Sequence, residues 1–129
     1  MAFPRSLFAN IKRDIYGAIL EFIGTFFFLS LAFGAVQATT SAGGVDQPPP
    51  NALNVFIASI SFGFSLLVSA WLFYRVTGGL FNPNVSLALF LTGGIGAVRF
   101  VLFCIAQLTG AIAAAGVILA LSPGPCSYK

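Results

Sequence analysis

Three long apolar runs constrain this chain more than any other feature of its sequence. They cover residues 15–36, 52–74 and 100–121, and charged residues make up only 7% of the 129 positions. A helix rises about 1.5 Å per residue and the hydrocarbon core of a bilayer is about 30 Å thick, so each run is long enough to cross it. The sequence therefore predicts an all-α integral membrane protein with three transmembrane helices.

A fourth apolar segment, at residues 77–91, is too short to cross a bilayer. It opens on Thr-Gly-Gly, which favours a helix end, and its last apolar part covers about half of what a crossing requires. Asn82 and Pro83 are typical of an N-cap and a first helical turn, because Asn accepts from free N–H groups and Pro lacks one. We expect a re-entrant loop and a half-helix that starts inside the membrane at Asn82, Pro83 and Asn84.

The distribution of basic residues orients the chain. The basic residues that flank the runs are Arg5, Lys12, Arg13, Arg75 and Arg99, and residues 37–51 contain none. By the positive-inside rule, the tail at 1–14 and the half-helix segment face the cytoplasm, whereas 37–51 and 122–129 lie outside. We expect one membrane domain at residues 15–121, in the plasma membrane, with a cytoplasmic N-terminus. The sequence turns polar and Gly-rich at residues 37–51 and ends in three Pro, which we interpret as an exposed loop without helix.

The composition excludes several classes of function. The chain has no His and two widely separated cysteines, Cys104 and Cys126, so it predicts no metal site, no cofactor and no disulfide framework. The basic residues are too few and too scattered for a nucleic-acid surface. No nucleophile and base, ligand cluster or phosphate loop is recognisable, so an enzyme is not expected.

Glu21 is the one acidic residue well inside an apolar run. An intramembrane carboxylate is a functional candidate by default, either in a proton relay or as an acceptor for the free N–H groups of the re-entrant loop. No His or acidic residue lies in another run to serve as a relay partner, so we favour the second role, a brace for the loop. Gln107 is a second candidate for bracing the loop. Its amide needs a partner, and a loop carbonyl or Thr109 on the same helix is a candidate.

Backbone groups of the loop at 78–81 cannot face lipid unpaired, so they either line water or pack against protein. In the first case their carbonyls form a row of acceptors and the Asn82 amide supplies donors at the positive end of the half-helix. In the second case the loop is structural and the chain has no conduit.

Small residues indicate where helices touch. They are Ser61, Ser65 and Ser69 in the second run, Ala106, Gly110 and Ala114 in the third, and Gly17, Gly24 and Thr25 in the first.

Four stretches together resemble the aquaporin, or major intrinsic protein, family, and most closely the water channels of fungi. They are Glu21-Phe22-Ile23-Gly24-Thr25, Phe62-Gly63, the segment from Thr77 to Pro83, and the segment from Ala106 to Ala111. The resemblance covers residues 10–122 and corresponds to the first of the family's two inverted repeats. It implies passive water permeation in homotetramers, with two Asn-Pro-Ala motifs meeting at mid-membrane.

The resemblance also implies site residues. Those expected to line the pore are Phe62, Gly78, Gly79, Leu80, Phe81, Asn82 and Val85, and Glu21 matches the family's loop-bracing glutamate. Asn84 stands where Ala is usual, and Leu80 replaces a common His. Phe62 favours water over glycerol, since glycerol channels often have Trp at this position.

The second repeat has no counterpart in this sequence. Two copies with the same orientation would leave both half-helices on one side of the membrane, and the one-sided basic residues oppose an antiparallel pair. We therefore expect a half that requires a complementary C-terminal half. The alternatives are a non-conducting membrane module for assembly or interaction, and a channel for a small neutral solute such as glycerol.

Overall fold

A computed structural model of the chain describes residues 10–41 and 52–122. Its helices are α1 (Ile11–Ser41), α2 (Ala52–Thr77), α3 (Pro83–Leu91) and α4 (Ala97–Leu121). The described ranges contain no strand, and α1, α2 and α4 are each long and apolar enough to cross a membrane. The predicted all-α fold with three candidate spans is confirmed.

The long helices extend beyond the apolar runs that predict them. Helix α1 continues to Ser41, so the prediction that 37–51 contains no helix is wrong for residues 37–41. Helix α2 includes Arg75, and α4 begins at Ala97 and includes Arg99. The reason is that hydropathy marks the part of a helix suited to hydrocarbon, whereas backbone hydrogen bonds continue through polar residues. Residues 1–9, 42–51 and 123–129, which include most of the predicted tail and end segments, lie outside the described residues.

Helix α1 lies at the centre of the bundle. It packs against α2 on one side and α4 on the other, and α3 packs against α4, whereas the described parts of α2 and α4 do not pack together. Ala106, Gly110 and Ala114 are buried on α4, and a Cβ built on Gly110 would lie 2.8 Å from the carbonyl oxygen of Phe22. Small residues therefore permit the close approach of α1 and α4.

On α2, Ser65 and Ser69 are buried, and Ser61 is half-buried. Large apolar side chains elsewhere point outward, including Trp71, which is 81% exposed, and Leu72 and Ile112, which are also exposed. An apolar exterior around a small buried interior is costly in water and favourable in lipid. The chain is accordingly an integral membrane protein.

An ion pair joins the beginnings of α1 and α4. Arg99 Nε lies 3.5 Å from Asp14 Oδ1, and the guanidinium carbon lies 5.3 Å from the centroid of the Phe103 ring. Nε makes no hydrogen bond of acceptable geometry to any described residue, so the contact with Asp14 is electrostatic. The pair brings the first turns of both helices to the same end of the bundle.

Candidate functional site: a loop and a short helix held on a buried carboxylate

The loop at 78–81 begins where α2 can no longer continue. Gly78 and Gly79 have φ angles of 96° and 61°, in the left-handed region that favours glycine. The N–H of Gly78 still donates to the carbonyl of Tyr74 at 3.0 Å, and the N–H of Gly79 donates to the hydroxyl of Thr77 at 3.2 Å. Both N–H groups are thus satisfied by the end of α2.

The next two N–H groups of the loop are bound by Glu21. Leu80 donates to Glu21 Oε1 at 3.2 Å, and Phe81 donates to Oε2 at 2.8 Å. The Gln107 amide donates to the same Oε2 at 2.9 Å. Glu21 is fully buried, and the one ion pair among the described residues is elsewhere, between Asp14 and Arg99. Three hydrogen bonds, rather than a cation, therefore stabilise this carboxylate.

Gln107 connects Glu21 to the short helix. Besides its bond to Glu21, its Nε2 donates to Ser86 Oγ at 3.0 Å, and that hydroxyl also lies 3.3 Å from Gln107 Oε1. The suggestion that Gln107 bonds a loop carbonyl or Thr109 is wrong. The Thr109 hydroxyl donates within its own helix, to Ile105 at 2.8 Å and Ala106 at 3.0 Å.

The loop has two chemically different sides. All four N–H groups at 78–81 donate to α1 or to the end of α2. By contrast, no donor in the described ranges 10–41 and 52–122 reaches the carbonyl oxygens of these four residues. Within this part of the chain, the donors are consumed internally and the acceptors remain available.

The side chains of Leu80 and Phe81 are buried, with exposed fractions of 9% and 4%. Leu80 packs in a cluster with Ala18, Phe103 and Ala106, between α1 and α4. The expectation that these two residues line a pore is therefore restricted to their main chain, because their side chains are enclosed by the chain's own helices.

Asn82 begins α3. Its backbone is extended, at φ −147° and ψ 125°, and its Oδ1 accepts from the N–H of Asn84 at 2.9 Å. Pro83 is the first residue of the helix. The side chains of Asn82, Asn84 and Val85 are exposed. The cap uses only the oxygen of the Asn82 amide, and its nitrogen donates to none of the described residues.

Phe62 is half-buried on α2, where its ring meets two rings of α1 edge to face. The centroid distances are 6.2 Å to Phe28 and 6.1 Å to Phe33. These contacts belong to the seam between α1 and α2. Phe62 takes no part in the hydrogen bonds that join Glu21, Gln107 and Ser86.

Residues 10–128 match the sequence model of the family described as major intrinsic protein. The chain belongs to the major intrinsic protein family. Among relatives, it is 56% identical over 126 residues to Aquaporin-1 of Laccaria bicolor, covering 96% of this chain and 40% of the relative. It is 43% identical over 129 residues to Aquaporin-2 of Botryotinia fuckeliana, covering 96% and 34%. This major intrinsic protein chain therefore spans about two fifths of the length of these relatives or less.

Two contributors to the site of this major intrinsic protein chain are absent from the sequence-based expectations. Ser86 links α3 to Gln107, and the Thr77 hydroxyl accepts from Gly79. A signal for Ser86 exists, because it is the one hydroxyl in the otherwise apolar α3 after Asn84. Such a group needs a partner when it is buried in a membrane protein. Thr77 carries no comparable signal, since a hydroxyl beside two glycines is common in loops.

Proposed function

We propose that this major intrinsic protein chain supplies one half of a water-conducting pore. In this proposal the loop at 78–81 and the start of α3 form part of the pore wall, and a complementary C-terminal half forms the remainder. Complete pores assemble as a homotetramer in the plasma membrane, with the N-terminus in the cytoplasm. Each half presents its short helix from the opposite side of the bilayer.

The sidedness of the loop is the observation that carries this proposal. The four residues 78–81 have N–H groups that are all satisfied inside the protein, whereas their four carbonyls have no donor among the described residues. Such an arrangement is unstable against lipid, where each unpaired group costs several kcal/mol. It suits a row of water molecules, each donating to one carbonyl as it passes.

Asn82 adds the complementary donor. Its oxygen is occupied by the cap of α3, so its amide hydrogens are the groups left for a passing solute. The N-terminus of a helix also carries roughly half a positive charge, which disfavours cations nearby. Together these features favour a small neutral permeant that both donates and accepts hydrogen bonds, and water is the smallest such molecule.

Phe62 supports water over glycerol. Its ring is supported by Phe28 and Phe33 and therefore occupies a fixed volume. A rigid aromatic side chain at a constriction limits the size of the solute that passes. If Phe62 serves this role, Phe62→Ala in the complete pore raises the ratio of glycerol to water permeability. An unchanged ratio would remove Phe62 from the constriction.

The packing of α3 leaves room for the complementary half that the proposal requires. Among the helices of the described residues it packs against α4, and Val85, Leu87 and Leu91 remain exposed, at 44%, 41% and 74%. These surfaces are available for the second half. Stopped-flow swelling of liposomes that contain this chain, the complementary half, or both tests the proposal.

Only the liposomes with both halves are expected to show water flux above that of empty vesicles, with the low activation energy of a pore. Rapid flux through this chain alone would refute the need for a mate. Absence of flux with both halves correctly inserted would instead support a non-conducting module for assembly.

A further inference from the structure

The ring of Phe81 occupies the space in which any residue larger than glycine at position 24 would place its side chain. A Cβ built on Gly24 would overlap Cε1 of Phe81, and it would lie 2.7 Å from Cζ and 3.0 Å from Cδ1. Gly24 is in the middle of α1, where glycine is otherwise unfavourable relative to alanine. The glycine therefore creates a notch in α1 that the ring fills.

Other elements enclose the same ring. Phe73 of α2 meets it edge to face, with centroids 5.8 Å apart and an interplanar angle of 89°. Gly79 approaches its opposite part, since a Cβ at this position would lie 3.6 Å from Cε2. The ring is thus held between α1, α2 and the beginning of its own loop, and it is only 4% exposed.

Phe81 also has an unusual backbone. Its φ angle is 46°, which is uncommon for a residue other than glycine, asparagine or aspartate. The left-handed conformation turns the chain so that the ring points back to α1 while the following residue, Asn82, caps the start of α3. A phenylalanine at such a position is maintained because its surroundings stabilise it more than the backbone conformation destabilises it.

We propose that Gly24 and Phe81 form a size-matched pair that sets the position of Asn82, with Phe81 as a positioning residue. The two hydrogen bonds to Glu21 hold the N–H groups of the loop but leave rotation about them possible. The ring in the notch removes this freedom, because it contacts a different turn of α1 and a second helix. The depth of Asn82 and the direction of α3 then depend on the volume shared by residues 24 and 81.

The test exchanges volume between the two positions. Gly24→Ala adds a methyl group that overlaps the ring, Phe81→Leu removes the Cε1 and Cζ atoms that the methyl group would meet, and the double variant combines both. Leucine keeps the backbone cost at φ 46° comparable, since it also has a Cβ. Gly34→Ala is the matched control, because its Cβ would meet only Ile118 at an ordinary 3.5 Å.

Amide hydrogen exchange at residues 80 and 81, measured on the full chain in lipid nanodiscs, reports whether the loop remains on Glu21. Each single variant is expected to exchange about tenfold faster or more, because a side chain that no longer fits its site destabilises the packed state by an amount that corresponds to at least this ratio. The double variant is expected to regain most of the protection, and Gly34→Ala to match the parent chain. If Gly24→Ala does not fold, recovery of folding and protection in the double variant supports the pair equally.

Two results would overturn the proposal: a double variant as unprotected as the product of the single effects, or single variants with unchanged exchange. Exchange is independent of permeation, so either result leaves the proposed pore untouched.

The consequence for Asn82 rests on the proposed function and is measured separately, as water flux through the complete pore. Flux lost in both single variants and restored in the double variant agrees with positioning. Flux that stays lost when protection is restored contradicts it.

Discussion

The N–H of Phe81 donates a 2.8 Å hydrogen bond to Oε2 of Glu21, a residue 60 positions earlier in the chain. The same oxygen accepts from Gln107, and the other carboxylate oxygen accepts from Leu80. One buried side chain of α1 thus holds the loop and contacts α4. The direction in which the loop carbonyls point follows from this arrangement, because the N–H groups are turned toward α1.

Glu21→Gln is expected to release part of the loop. An amide of the same shape offers one acceptor oxygen for three donors, so at least one of the N–H groups faces another donor. A buried donor without an acceptor costs about 1–3 kcal/mol, and we expect a loss of stability of this size together with faster exchange at residues 80 and 81.

Asp14→Asn is the control for the exchange measurement, since it makes the same chemical change on α1 away from the loop. It also breaks the ion pair with Arg99, so both variants are expected to lose thermal stability and the exchange at residues 80 and 81 distinguishes them. Hydrogen exchange and thermal unfolding in nanodiscs provide the comparison. Equal exchange at residues 80 and 81 in the parent chain and in Glu21→Gln would show that the carboxylate is not what holds the loop.

Ser86 and Gln107 are expected to contribute unequally. Ser86→Ala removes one partner of Gln107 but leaves its bond to Glu21, and single hydrogen bonds between membrane helices contribute about 0.6–1.7 kcal/mol. Gln107→Leu removes a donor from Glu21 and leaves the Ser86 hydroxyl buried without a partner, so its cost is expected to be about 2–3 kcal/mol.

A double-mutant cycle at positions 86 and 107 measures the coupling by chemical or thermal unfolding. Once Gln107 is absent, Ser86→Ala is expected to be neutral or stabilising, because the hydroxyl it removes no longer has a partner. Additive effects of the two substitutions would contradict a shared hydrogen bond. Thr109→Val is the control, since that hydroxyl bonds only within its own helix.

Thr25→Val is expected to be neutral or to stabilise the chain by up to about 1 kcal/mol. Thr25 is 1% exposed, and its hydroxyl has no hydrogen-bond partner in the described parts of the chain. Valine has nearly the same shape and carries no group that needs one. A loss of more than about 1 kcal/mol in thermal unfolding would instead reveal a partner for the hydroxyl.

Two glycines of α4 are expected to respond in opposite ways to alanine. At Gly110 the new Cβ would lie 2.8 Å from the main-chain oxygen of Phe22, so α1 and α4 must separate at a typical cost of about 1–3 kcal/mol. At Gly116 nothing lies within 4 Å, and the change is expected to stabilise the helix by up to about 1 kcal/mol. Thermal unfolding of the two variants is the measurement, and equal melting temperatures would contradict the close approach of α1 and α4 at Gly110.

The apolar runs, the end of α2 before Gly78 and the start of α3 at Pro83 follow from local properties of the sequence. Hydropathy, glycine conformation and capping each depend on a few neighbouring residues, so these features can be predicted from the sequence. The role of Glu21 could also be predicted from the sequence, because a buried carboxylate has few ways to be satisfied in a membrane. Its acceptance of loop N–H groups is the arrangement that its isolation among apolar residues indicates.

Contacts between residues that are distant in the sequence could not be predicted from it. The fit of Phe81 into the notch of Gly24, the contact of Asp14 with Arg99 and the link from Ser86 to Gln107 depend on how helices are rotated and on side-chain conformations. No short-range pattern encodes these. The partner of Gln107 was predicted incorrectly for the same reason, since the nearest candidate in sequence, Thr109, is satisfied by its own helix.

The most direct test of the proposed pore changes the Asn82 amide and keeps the cap of α3. Asp and Ser are both good N-caps, so Asn82→Asp and Asn82→Ser preserve the acceptor for the N–H of Asn84 and remove the amide donor. Stopped-flow water permeability of the complete pore, normalised to inserted protein, is the measurement. We predict that both variants lose most of the water flux, and that the thermal stability of Asn82→Ser, which adds no charge, changes by less than about 0.5 kcal/mol. Unchanged flux in both variants, with both correctly inserted, would contradict the claim that the start of α3 lines a water path.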